Sequence, residues 1–138
     1  VTRFDALFCI LGSLACVAVI ATAASLEPDA RGHGTHERLG LAPCSFMQRH
    51  GRPCISCGMT TAFAAMAHGR LDLALAANPY GAGMFLLVVA APFWFVSSLR
   101  KGLPPLRFLD RAGGRRAFFV AGLLLLVNWG WMLMRPPA

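Results

Sequence analysis

The chain has 138 residues, of which 57% are hydrophobic and only 14% charged. An ordinary soluble domain carries about 25% charged residues, so this composition excludes a well-solvated globular surface. The net charge of +7 would suit nucleic acid, but its distribution excludes that partner: residues 100–116 hold Arg100, Lys101, Arg107, Arg111, Arg115 and Arg116 against Asp110 alone, whereas the loop 27–78 sets five arginines against four acidic residues.

The first element is a run at residues 6–26 without Lys, Arg, Asp, Glu or His. A helix of about 20 residues crosses the roughly 30 Å of hydrocarbon in a bilayer. Lipid offers no water to a free N–H or C=O, so such a run must be helical. Arg3 ahead of it and Ala21-Thr22-Ala23 near its end also fit a secretory signal with a small-residue cleavage site. Residues 1–23 therefore read either as a retained anchor or as a cleaved signal, and both place the next segment outside. Cys9 and Cys16, seven apart on one face, read as packing residues.

Pro28 stops the first span. Residues 29–53 are rich in Gly, Pro, Arg and His and read as an irregular loop, long enough to suggest function or docking against the bilayer. From Gly58 the pattern turns helical, with Met59, Phe63 and Met66 on one face and small alanines filling the rest. His68-Gly69 ends that helix, and a second short helix follows at residues 70–77 with Leu71 and Leu75 on one stripe. Neither piece can span, so the pair reads as an interfacial or re-entrant elbow.

Asn78-Pro79 opens the second span, residues 80–99, with Asn at the N-cap and Pro at the first helical position. Pro92 inside it predicts a kink. The third span, residues 117–134, carries Asn128, expected to hydrogen-bond to a neighbouring helix, and Trp129 and Trp131, expected at the interface. The expected fold is thus all-α: one integral membrane domain, residues 1–138, with three transmembrane helices and an elbow between the first two. Positive charge stays on the cytoplasmic side, which puts residues 100–116 and the N-terminus in the cytoplasm, the Cys- and His-bearing segment 27–78 outside, and the protein in a bacterial cytoplasmic (inner) membrane. The basic segment 100–116 is also suited to anionic lipid head groups.

The sharpest local signal is Pro53-Cys54-Ile55-Ser56-Cys57-Gly58. Two thiols three apart, ahead of a helix, sit where free N–H groups and the helix dipole favour a thiolate; this is one route to thiol–disulfide exchange, although no βαβ pattern surrounds it. A second reading is zinc, with Cys44, Cys54 and Cys57 as thiolate ligands and a histidine such as His36, His33 or His50 as the fourth; a single C-x2-C pair supplies only half of such a site. A third is structural: outside the cytoplasm thiols tend to oxidise, and a bridge from Cys44 to Cys54 or Cys57 would pin the loop to the elbow. No nucleophile elbow or phosphate loop is present, and no catalytic residue is assigned.

Residues 34–80 resemble a bacterial membrane-protein family catalogued as domain of unknown function 2752, whose members show Cys-Pro-x-Cys-Gly-x-Thr, a helix ending in His-Gly or a similar pair, and Ala-Leu-x-x-Asn-Pro before a span. The matching residues are Cys54, Cys57, Gly58 and Thr60, then His68 and Gly69, then Ala74, Leu75, Asn78 and Pro79. Gly34 to Leu41 and Pro43 to Phe46 are similar to one branch of it. Ile55 stands in place of the common Pro, which loosens the turn. Thr61 replaces a frequent Arg and so removes a cation that could lower a thiol pKa. The resemblance implies topology rather than mechanism. The expected function is a small membrane scaffold or partner subunit, in contact with lipid and with other membrane proteins or its own copies, in which the Cys-x-x-Cys-Gly turn is structural. The alternatives are a redox protein using Cys54 and Cys57, or a zinc-binding membrane protein.

Overall fold

The computed structural model describes residues 2–105 and 112–135, so Arg107, Asp110 and Arg111 of the basic segment lie outside it. The described residues are all helical or irregular, without a strand. Three helices are long and apolar enough to cross a membrane: α1 (Arg3–Ser25), α5 (Pro79–Arg100) and α6 (Ala112–Met134). Between α1 and α5 lie a 3-10 helix (Thr35–Leu39), α2 (Ser45–His50), α3 (Met59–Ala67) and α4 (Leu71–Ala77). The loop expected to be irregular is therefore folded in two places, each too short for an apolar period to show in sequence.

α1 begins ahead of its apolar run because Thr2 and Asp5 form a reciprocal cap: the Thr2 hydroxyl accepts from the Asp5 N–H at 3.2 Å and the Thr2 N–H donates to the Asp5 carboxylate at 2.8 Å. Its face meets α5 where Gly12 lies under the Phe95 ring and Phe8 packs edge-on to it, with ring centres 5.8 Å apart. α5 opens as the sequence suggests, with Asn78 as N-cap and Pro79 at the first position, and it continues through Pro92 as helix. α6 starts five residues before its apolar run.

The elbow is a helical hairpin that turns at Gly69 (φ 71°) and packs on α1 and α5. Its inward faces are formed mostly by small residues, with the larger apolar stripes read in sequence half-buried or exposed. In α3 the wholly buried residues are Thr61, Ala62, Ala64 and Ala65, while Met59, Phe63 and Met66 are half-buried; in α4 Leu73, Ala74 and Ala77 face inward and Leu71 and Leu75 outward. Small side chains win the inward face because they let backbones approach closely. Gly81 of α5 comes so near Met59 and Ala62 that an added Cβ would lie 3.1 Å from Ala62 Cβ. Phe63 then closes edge-on against Phe85, with centres 5.5 Å apart.

α6 meets α5 over a short stretch only. Phe118, Phe119, Leu123, Leu124, Leu126 and Val127 are exposed along it. An apolar groove lies between the two helices, lined by Tyr80, Met84, Leu87, Leu124, Val127 and Trp131.

Candidate functional site

The cysteine turn sits at the end of the bundle formed by the C-terminus of α1, the N-terminus of α5 and the C-terminus of α6. Cys57 N–H donates to the Cys54 carbonyl at 3.1 Å, and Met59 N–H to the Ser56 carbonyl at 3.1 Å; these bonds close the turn despite Ile55 in place of proline. Gly58 follows with φ 75°. A Cβ there would stand 2.7 Å from the Gly32 carbonyl oxygen and 2.8 Å from that of Ala77. Both the backbone conformation and the available space thus require glycine.

Asn78 is the joint between this turn and the spans. Its side chain is fully buried. Nδ2 donates to the Cys57 carbonyl at 3.0 Å; Oδ1 accepts from the Gly81 N–H at 2.9 Å and from Asn128 Nδ2 at 3.1 Å. Asn128 Oδ1 accepts in turn from the Tyr80 N–H at 3.3 Å. A second tie runs from Trp129 Nε1 to the Pro53 carbonyl at 3.0 Å. The turn is thereby held at both ends, by α5 and by α6. Asn78 was legible as a cap and Asn128 as an interhelical donor; that they bond to each other and to the cysteine turn was not.

The upstream loop is fixed by a buried hydroxyl pair, Thr35 and Thr61, 2.7 Å apart, with the Asp29 N–H donating to Thr35 Oγ1 at 3.0 Å. Thr61 is wholly buried and hydroxyl-bonded. Sequence gave no signal for this pair. Asp29 is bound by Arg31 at 2.7 Å, and the hydrogen bonds from that guanidinium and the Arg31 N–H lower its carboxyl to about 2.

Cys44, Cys54 and Cys57 line one cavity of about 440 Å³, together with His36, Ser56 and Thr60. All three are free thiols. Cys44 caps α2, and the Met47 N–H, the Cys54 thiol and the Phe46 and Cys54 N–H groups hold its thiol below the ordinary value against the opposing effect of burial. Cys57 behaves oppositely: burial first, then the neighbouring charges of Cys54 and Cys44, push it up to about 11. The Cys54 sulfur lies 3.6 Å from Ser56 Oγ. Elsewhere, Cys9 is buried in α1.

His36 Nε2 lies 3.2 Å from the Ala42 carbonyl, His68 Nδ1 lies 2.8 Å from that of Ala64, and His50 packs against Phe46. Among the described residues no group of three or more His, Cys, Asp or Glu is arranged to hold a metal ion; Cys44, Cys54, Cys57 and His36, the four named for zinc, are thus not assembled as a ligand set. Gly69 and Pro79 shape the backbone, and Thr60 lies on the cavity wall.

A family model described as protein of unknown function (DUF2752) matches residues 44–92, which bears out the resemblance read from the motif. The matched stretch runs from the first loop thiol through the turn, the elbow and Asn78 into α5. No curated protein and no solved structure matches the chain.

Proposed function

We propose that this chain is a small, non-catalytic scaffold or partner subunit of a bacterial cytoplasmic membrane, with its N-terminus and basic segment in the cytoplasm and the cysteine turn outside. One observation carries the reading: the turn is bonded to two spans at once, through Cys57 to Asn78 and through Pro53 to Trp129. A turn fixed in this way organises the outer cap. The largely uncovered apolar circumference of α6 supports contact with lipid and with other transmembrane helices, which pack through van der Waals contact and interhelical hydrogen bonds. Native mass spectrometry from a mild detergent tests it. A homo-oligomer or a stoichiometric partner complex is expected; a lone monomer with nothing bound contradicts the proposal.

A second reading, thiol–disulfide exchange, is favoured by one feature, the contact between a lowered Cys44 thiol and Cys54. It shifts the reactive pair from Cys54/Cys57 to Cys44/Cys54. The Cys44 thiolate would attack a partner protein's disulfide, and Cys54 would then resolve the mixed disulfide, releasing the partner as a dithiol and leaving a Cys44–Cys54 bridge. Mapping the bridge by mass spectrometry after treatment with a small-molecule disulfide tests this. A Cys44–Cys54 bridge formed reversibly supports it; thiols inert to oxidant and reductant exclude it.

A further inference from the structure

A second hollow of about 250 Å³ adjoins the turn and shares Cys57 and Gly58 with the thiol cavity. Its wall includes Arg31, His33, Arg52 and Arg135, contributed by three separate segments, with Met47 and Met132 as apolar lining. Arg52 Nη1 donates to the Leu133 carbonyl at 2.7 Å. Arg135 Nη1 donates to the Ala76 carbonyl, and its guanidinium lies 3.4 Å from the centre of the Trp131 ring. These bonds hold each guanidinium in place, and each uses one of five N–H donors. Among the described residues, no carboxylate forms an ion pair with Arg52 or Arg135; of the three arginines on this wall only Arg31 is matched, by Asp29 at 2.7 Å and Glu37 at 4.0 Å.

Two fixed and uncompensated guanidiniums on one hollow repel each other, and an anion between them turns that repulsion into attraction. Arginine's planar fork suits phosphate oxygens. The hollow lies beside the tryptophan-bearing end of α6, where a span meets the head-group layer, and its methionine walls suit a glycerol or acyl portion. We propose that this hollow binds the phosphate ester of an anionic ligand, with Arg52 and Arg135 as its principal contacts and Arg31 and His33 as secondary ones. The chemistry is shared by a phospholipid head group and by free phosphate. The site is distinct from Arg100, Lys101, Arg115 and Arg116, which lie at the other end of the spans.

The full chain in nanodiscs separates the sources. One arm compares phosphatidylcholine discs with discs containing phosphatidylglycerol, reading thermal stability and the lipid retained in native mass spectra. The other titrates inorganic phosphate into phosphatidylcholine discs, reading Trp fluorescence, to which Trp131 beneath Arg135 contributes. A response in either arm, weakened about tenfold or more by Arg52→Gln with Arg135→Gln and far less by Arg115→Gln with Arg116→Gln, supports the site and names its source. If the double glutamine variant does not fold, Arg135→Lys serves, since it keeps the charge, loses the fork and should bind measurably more weakly. No response in either arm, or equal binding by the wild type and the outer variants, overturns the proposal.

Discussion

Replacing Asn78 by alanine removes the joint between the cysteine turn and the spans without adding bulk. Three groups lose a partner: the Gly81 N–H, the Cys57 carbonyl and Asn128 Nδ2, which keeps only Met132 Sδ at 3.4 Å. Loss of an asparagine N-cap costs about 1 kcal/mol. A buried group left without its partner costs about 1–3 kcal/mol, although hydrogen bonds between membrane helices average only about 0.6 kcal/mol. Taking about 1 kcal/mol for each of the other two groups gives an expected loss of about 3 kcal/mol. Asn128→Ala should cost about 1–2 kcal/mol on the same basis. Because the two side chains bond to each other, the double variant should lose about 0.5–1.5 kcal/mol less than the sum. Reversible unfolding of the purified chain in mixed micelles, followed by Trp fluorescence, measures all three. A loss below about 1 kcal/mol for Asn78→Ala, or strict additivity with Asn128→Ala, would refute the reasoning.

Gly58→Ala should destabilise by about 3 kcal/mol or more, since a left-handed residue costs about 1–2 kcal/mol and its Cβ would meet two backbone oxygens. Gly69→Ala, at φ 71° with open space around it, should show only the conformational part; the same unfolding assay compares them, and equal losses would refute the close approach at Gly58. Thr61→Val should cost about 1–2 kcal/mol by leaving the Thr35 hydroxyl only the Asp29 N–H as partner, and Thr35→Val should cost more because the Asp29 N–H also loses its acceptor; melting temperatures in detergent would rank them. The raised Cys57 thiol gives a sign to alkaline stability. The fold favours its neutral form, so this contribution is whole below the ordinary thiol pKa and is lost as pH rises toward about 11. Melting curves across that range should therefore fall, and should fall less in Cys57→Ser.

The spans were legible because charge-free runs of that length have one physical solution in lipid. α1 and α6 extend past those runs because polar first turns, such as the Thr2–Asp5 cap, carry no hydropathy signal. The caps at Asn78, Pro79 and Gly69 were legible because their chemistry is local. The large apolar stripes of the elbow were legible, but its inward face was not: the wholly buried positions of α3 are small, Thr61, Ala62, Ala64 and Ala65, and only the fold shows that Gly81 of α5 closes on Ala62 and Met59. The contacts that define the site, from Asn78 to Asn128, from Thr35 to Thr61 and from Pro53 to Trp129, span from 26 to 76 residues. No period or motif links such distant positions. The differing character of Cys44 and Cys57 likewise depends on which backbone groups and neighbours surround each sulfur.

The central claim is that the cysteine turn is an outward-facing structural joint fixed to the spans. Labelling intact cells with a membrane-impermeant maleimide after mild reduction, with mapping by mass spectrometry, tests it most directly. The account predicts that Cys44 is modified quickly near neutral pH while Cys57 stays protected until the protein is denatured. Modification of Cys57 as fast as Cys44, or no labelling of Cys44 until the cells are broken open, would contradict it.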